Sequence, residues 1–348
     1  MYKYHLKDGL PDEIFMPVKN IFDQCNHRFF YQDPEWLRME PDKKKLLIVT
    51  DSSNSIIAYA ALETKKLRTI HLSFGPVTLN EDDLPEIIAG MAKWLKEQGW
   101  WRLTIQLAIP VIHGGDHIVS KTRELAFFRQ SSNLFNWKSW WLALDQEPEQ
   151  LMKSFSHHHL KSVRQGLKQP ITFLEATTDE QALMLASLYI EMYRKRKLPV
   201  NENDTRQLFS AVNNYIQQHK KGIMLEAVLD GRTVGGIVII FQGNTAYYYL
   251  GVTTISYKRS IPILYAAFFH VMAYCRKSGI STLDFGGIAG ASKEGESLHN
   301  INRFKMGFGG NAVNYPGLMV FDLNPLISRS IEKGMQWRNQ FRKWKERK

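Results

Sequence analysis

The sequence predicts an α/β (α+β) protein built as two lobes related by duplication. Three observations carry this. The chain has 348 residues, too long for one ordinary small domain and right for two, and 44% of them are hydrophobic, enough for real cores. Period-2 and period-3.6 apolar spacings alternate along it. Each half also follows one plan: strands, a helix closed by glycine, then another strand. The helices close at Gly99 and Gly279, and "WRLTIQLAIP" and "STLDFGG" follow them. The pattern breaks at "DQEPEQ", near Asp145 to Pro148, which sets the lobes at 1–147 and 148–317.

In order, "KLLIVTD" (45–51) and "SIIAYAALET" (55–64) read as strands around a Ser-Ser-Asn turn. "IHLSFGPV" is a third strand, ending in Gly75-Pro76. "LPEIIAGMAKWLKEQGW" shows helical spacing at Ile87, Met91, Trp94 and Leu95. "WRLTIQLAIP" and "KSWWLALDQ" are further strands. In the second half, "KSFSHHHLKSVRQGLKQ" is a basic helix, followed by helices over 179–197 and 205–221. "IMLEAVLDGRTVGGIVIIFQGNTAYYYLGVT" is a three-strand meander with turns at Asp230-Gly231 and Gly243-Asn244. A helix then opens at Pro262, and "STLDFGG" is a strand running into a glycine loop. In "NRFKMGFGG" (302–310), three glycines in four residues predict a loop needing positive φ, with Lys305 beside a glycine hinge.

Lys and Arg outnumber Asp and Glu by 45 to 34, a formal net charge of +11. This favours polyanionic partners such as RNA, anionic lipid or phosphate-bearing substrates without choosing among them. The two cysteines, Cys25 and Cys275, form no CxxC pair, which argues against a disulfide scaffold or zinc ribbon and fits a reducing cytoplasm. The N-terminus lacks an apolar core of signal-peptide length, and no run reaches the roughly 18 apolar residues of a spanning helix. The expectation is a cytoplasmic protein, with peripheral contact at the membrane face open.

Several residues are candidates for chemistry. His157, His158 and His159 are adjacent, so they do not share the helix face that a metal needs, and no metal site is expected. Arg164 and Lys168 extend that helix at i+4 spacing, as a solvated basic face or a phosphate contact. Arg194 to Lys197 crowd a helix C-terminus, more cations than the helix dipole alone explains. Alternation puts Tyr247 and Tyr249 on one strand face, as packing or as a substrate-lining row. Asp284 at a strand end is a turn aspartate or a ligand contact. In the tail, Trp337, Phe341 and Trp344 align at helical spacing. There is no HExxH, GxSxG or Walker lysine motif. By residues alone, the protein is basic and two-lobed, and its reaction is unnamed.

The ordered series "LSFGPV", "WRLTIQLAIP", "HHHLKSVRQGLKQ", "YYYLGV", "LDFGGI" and "NRFKMGFGGNAVNYPG" resembles the Fem family of aminoacyl-tRNA-dependent transferases, which build peptidoglycan interpeptide bridges. The resemblance covers nearly the whole chain. It implies two lobes of the GNAT acyltransferase fold, the first completed by a C-terminal helix over 318–348. Pro170 follows the basic helix at once, so the chain looks like a member without the coiled-coil arm.

The resemblance further implies transfer of an amino acid from aminoacyl-tRNA to an amine of a nucleotide- or lipid-linked muropeptide. No cofactor beyond that co-substrate and no DNA partner are implied. Phe304 and Lys305 match the family's Phe-Lys pair, whose lysine faces the transition state. Arg38, Arg196, Tyr249, Tyr247 and Asp284 are the implied substrate contacts, and Arg164, Lys168 and Arg303 the implied tRNA contacts. Two departures stand out. Ala108 and Ile109 occupy the place where some members carry an acidic residue before the proline. "GVTTISYKRSIP" has one glycine, Gly251, where an acyl-CoA enzyme has a glycine-rich pyrophosphate loop. The competing expectations are an acyl-CoA-dependent N-acyltransferase and a non-catalytic protein binding RNA or a membrane surface.

Overall fold

A computed structural model describes residues 2–39, 44–131, 138–254, 261–288, 297–328, 330 and 334. The chain divides into two compact units, Met1–Asn136 with Tyr315–Lys348, and Trp137–Asn314. The first unit runs β1 (Lys3–Asp8), α1 (Asp12–Gln24), α2 (Pro34–Leu37), β2 (Lys45–Thr50), β3 (Ile56–Lys65), β4 (Thr69–Ser73), β5 (Val77–Thr78), α3 (Leu84–Glu97), β6 (Arg102–Gln106), α4 (Gly115–Leu125) and β7 (Arg129–Ser131). The second runs β8 (Lys138–Ala143), α5 (Pro148–Leu151), α6 (His157–Leu167), β9 (Thr172–Glu175), α7 (Asp179–Lys195), α8 (Glu202–His219), β10 (Gly222–Leu229), β11 (Arg232–Gln242), β12 (Thr245–Thr253), α9 (Ile263–Lys277), β13 (Thr282–Ile288), α10 (Ser297–Met306) and β14 (Asn311–Asn314). The chain end then supplies β15 (Leu318–Phe321) to the first unit's sheet.

The two sheets share one topology. Their orders are β1-β2-β3-β4-β6-β15-β7, with β5 paired to β3, and β9-β10-β11-β12-β13-β8-β14. Each has one parallel pair among the described residues, β4 with β6 and β12 with β13. A parallel pair needs a crossover, and α3 and α9 provide it. Both helices bury an apolar stripe on their sheet: Leu84, Ile87, Ile88, Met91 and Leu95 in α3, and Ile263, Ala267, Phe268, Val271 and Cys275 in α9.

One buried side chain completes the first sheet. On the edge of β3 away from β2, Ala58 and Tyr59 pair with β5 and Glu63 to Lys65 pair with β4, which leaves Ala61 with no strand opposite. The Gln32 amide takes that place. Its Oε1 accepts from Ala61 N at 2.8 Å, and its Nε2 donates to Ala61 O at 3.3 Å and Ser73 O at 2.8 Å. Gln32→Leu keeps the bulk and strands these backbone groups, so urea denaturation should show a loss of about 2–4 kcal/mol.

The structure corrects four expectations. Asn302–Met306 belongs to α10, not to a loop, and the glycines follow the helix rather than hinge within it. Gly309 (φ 80°) and Gly310 (φ 90°) do carry the predicted positive φ. Leu318–Phe321 is a strand between β6 and β7, so no helix starts at 318; all four residues are buried, as a mid-sheet strand requires. Asp284 lies inside β13, which continues through Gly286 and Gly287 to Ile288 across a bulge. A second bulge at Tyr249 interrupts the Tyr247/Tyr249 alternation, since Val238 pairs with Leu250 and Ile239 with Tyr248. β1, α1 and α4 were not foreseen from the sequence. Trp337, Phe341, Trp344 and positions 255–260 lie outside the described residues.

Candidate active site

The second sheet parts at its parallel pair. β12 and β13 pair only from Thr245–Thr282 to Tyr247–Asp284, although β12 continues to Thr253 and β13 to Ile288. Ligands of α/β sheets gather where parallel strands end or diverge, because backbone polar groups are left unpaired there. At this opening Gly286 takes φ 76° beside the bulge, and the carbonyl of the following Gly287 accepts from Lys305 Nζ at 2.7 Å. A side chain on Gly286 would put its Cβ 3.7 Å from that ammonium. That is ordinary contact, so the left-handed backbone of Gly286, rather than space for the lysine, calls for glycine there.

Lys305 is half-buried, and desolvation lowers its pKa from the ordinary 10.5 to about 8, while the Asp284 carboxylate acts to hold it up. Asp284 is 2% exposed. It accepts from the Ser139 hydroxyl and from Gly286 N at 2.7 Å. Burial pushes its pKa up, and these hydrogen bonds and Lys305 pull it back. Tyr247 stands opposite Asp284 in register, and burial, then the Asp284 charge, raise its phenol pKa. The result is a mostly protonated, poorly hydrated ammonium at neutral pH, suited to stabilising a developing oxyanion.

On another side of α10 lies a cavity of about 900 Å³, lined by Ser156 to His159, Tyr265, Asn300, Arg303, Phe304, Met306 and Gly307. Phe304 packs on Tyr265, Phe268 and Phe308, with ring centroids 5.1, 5.6 and 5.4 Å away. Arg303 is exposed at the rim, and Arg164 and Lys168 are exposed further along α6.

The structure therefore brings Lys305, Asp284 and Tyr247 together and seats Phe304 and Arg303 at the neighbouring cavity. Arg196 is not among them: it is exposed at the C-terminal cap of α7. Arg38 belongs to the first unit, where it meets Asp12 at 2.5 Å and lies 3.7 Å over the Phe15 ring. Sequence reasoning missed Ser139, whose hydroxyl reaches Asp284, and His159, a buried residue bonded to Phe304 O at 2.8 Å. The signal for His159 was the spacing Ser156-x-x-His159, with Ser156 capping α6.

Residues 154–305, from just before α6 to Lys305, match the family model described as an acetyltransferase (GNAT) domain. Over 154 residues, 42% of this chain, the sequence is 25% identical to a protein named Lipid II:glycine glycyltransferase from Staphylococcus epidermidis. That match spans 36% of the relative, about a third of its length. The fold is similar to the crystal structure of FemX, with a TM-score of 0.74 and 14% identity, over 91% of this chain and 98% of that one. The chain has the fold of FemX, with a GNAT domain in its second unit. A second solved structure, L-PGS from Bacillus licheniformis, has a TM-score of 0.59 at 12% identity and covers 91% of this chain and 93% of its own. Among the described residues each sheet carries one parallel pair joined by a helix, consistent with two duplicated GNAT-like lobes.

Proposed function

We propose that the protein is an aminoacyltransferase that moves an amino acid from aminoacyl-tRNA to an amine of a peptidoglycan-precursor stem peptide. The observation that carries this is Lys305, held as a desolvated ammonium over the parted strands β12 and β13. The glycyltransferase named for lipid II supports a lipid-linked precursor as acceptor. The cavity beside Phe304, with Arg303 at its rim, supports an aromatic and anionic donor end, as the 3′ terminus of a tRNA presents.

The acceptor amine, with an ordinary pKa near 10.4, must first lose a proton, and leaving water favours that loss. Its nitrogen attacks the ester carbonyl of the donor, and the Lys305 ammonium faces the oxyanion that forms. As the intermediate collapses the C–O bond to the ribose breaks and the amide remains. The departing tRNA hydroxyl takes up a proton, and the amine's proton passes to it or to a substrate phosphate. The peripheral membrane contact and the roles of Arg38, Arg196, Tyr249, Arg164 and Lys168 remain part of the proposal. No helix among the described residues is long and apolar enough to cross a membrane.

A second reading, an acyl-CoA donor, follows from the acetyltransferase description of the family model. Equilibrium binding separates the two. The proposal expects aminoacyl-tRNA to bind in competition with uncharged tRNA and coenzyme A to bind weakly. Tight coenzyme A binding without tRNA binding rejects it. The carboxylate offers another check. Asp284 holds the Lys305 pKa up, so Asp284→Asn should lower it further. The alkaline loss of activity should then set in below the wild-type midpoint of about 8, as read from pH–rate profiles.

A further inference from the structure

We propose that His159 is a positioning residue that fixes the last turn of α10, and with it Lys305, through an imidazole whose Nε2–H caps the Phe304 carbonyl. The last four carbonyls of a helix have no partner within it. In α10 these include Phe304 O, which receives His159 Nε2 at 2.8 Å, and just beyond the helix Gly307 O receives Ser156 N at 2.8 Å. Both donors come from the first turn or the cap of α6. The negative end of one helix dipole thus meets the positive end of another.

The tautomer follows from chemistry. A carbonyl only accepts, so Nε2 carries the hydrogen. Nδ1 is then the acceptor, and the Ser156 hydroxyl, 2.9 Å away, donates to it while accepting from His159 N at 3.3 Å. One serine therefore caps α6 and orients the ring. Gly307 makes room: a Cβ there would lie 1.9 Å from His159 Cε1. The ring is enclosed by Tyr265 and Phe308, with centroids 4.9 and 4.8 Å away. Burial, then the neighbouring charges of His158 and Arg303, lower the His159 pKa against the Phe304 bond and keep the ring neutral.

The catalytic consequence rests on the proposed role of Lys305, but the tether is measured without substrate. Trace acetic anhydride labelling across pH, read by mass spectrometry on the Lys305 peptide, gives the titration midpoint of that amine. It should be near 8 in the wild type. In His159→Phe, which keeps a ring but loses both hydrogen bonds, it should rise toward 10.5 as α10 loosens from β13. In His159→Gln, whose amide N–H can reach the same carbonyl, it should stay near the wild-type value. A folded His159→Phe protein with an unchanged midpoint overturns the proposal, and so does an equal rise in the Gln variant, because packing would then do the positioning. If His159→Phe does not fold, Ser156→Ala reads the same quantity by removing the Nδ1 donor. A rise there supports the tether and no rise overturns it. In the transfer assay His159→Phe should lower kcat by about 10²-fold with little change in KM, the signature of a misplaced group.

Discussion

Lys305→Ala yields a folded protein whose aminoacyl transfer is slower by about 10²–10³, the usual loss when one oxyanion-stabilising donor is removed. The pH dependence carries more information than the loss itself. The wild-type lysine works as an ammonium, so its contribution fades as pH rises through about 8. The acceptor amine works in the opposite sense, gaining reactivity as it deprotonates. Dividing the wild-type rate by that of Lys305→Ala cancels the acceptor's limb. The ratio should be constant below the midpoint and fall above it. A ratio that rises through the same midpoint would make Lys305 a base instead. Stability gives an independent reading. The folded-state pKa lies below the ordinary 10.5, so between about 8 and 10.5 the unfolded chain binds more protons and the wild type gains stability as pH rises. Urea titrations should show that gain in the wild type and its absence in Lys305→Ala.

Gly310→Ala should destabilise the second unit by about 3 kcal/mol or more, a large share of the margin of an ordinary domain. Gly310 has φ 90°, and a Cβ there would sit 2.2 Å from the backbone oxygen of Trp141. Left-handed backbone costs a side chain about 1–2 kcal/mol, and overpacking adds about 1–3. The clash has no soft partner. Trp141 lies in β8, paired with Asn311 of β14 and with Asp284 of β13. Relief would have to move the strands that carry the site. Gly231→Ala is the control: Gly231 has φ 72° but nothing within 4 Å of the added carbon, so it should lose only the backbone share. Equal losses in urea denaturation would contradict this account.

Elements whose cause is local were legible in the sequence. The apolar stripe of α3, the β-branched runs of β2 and β3, and the turns of the meander each lie within one segment, and the two-lobed fold followed from their order. Lys305 was singled out, but for its glycine neighbours, which prove to follow the helix rather than form a loop around it. What escaped depends on distant partners. Gln32 looks like any polar residue until the edge left open at Ala61, 29 positions away, is known. His159 reads as one of three adjacent histidines in a basic helix, yet it is buried, in space that a side chain on Gly307 would fill. Asp284 reads as a turn residue or a ligand contact, and only its distant partner on β8, the Ser139 hydroxyl, together with Gly286 N, shows how its carboxylate is held inside the sheet.

The most direct test is transfer itself. Purified protein is incubated with a pool of radiolabelled aminoacyl-tRNAs and with nucleotide- and lipid-linked muropeptides, with and without ribonuclease. Ribonuclease-sensitive label in the muropeptide, lost in Lys305→Ala, is the predicted result, and the product identifies the amino acid. Label that never leaves the tRNA, with transfer from acyl-CoA in its place, would contradict the account.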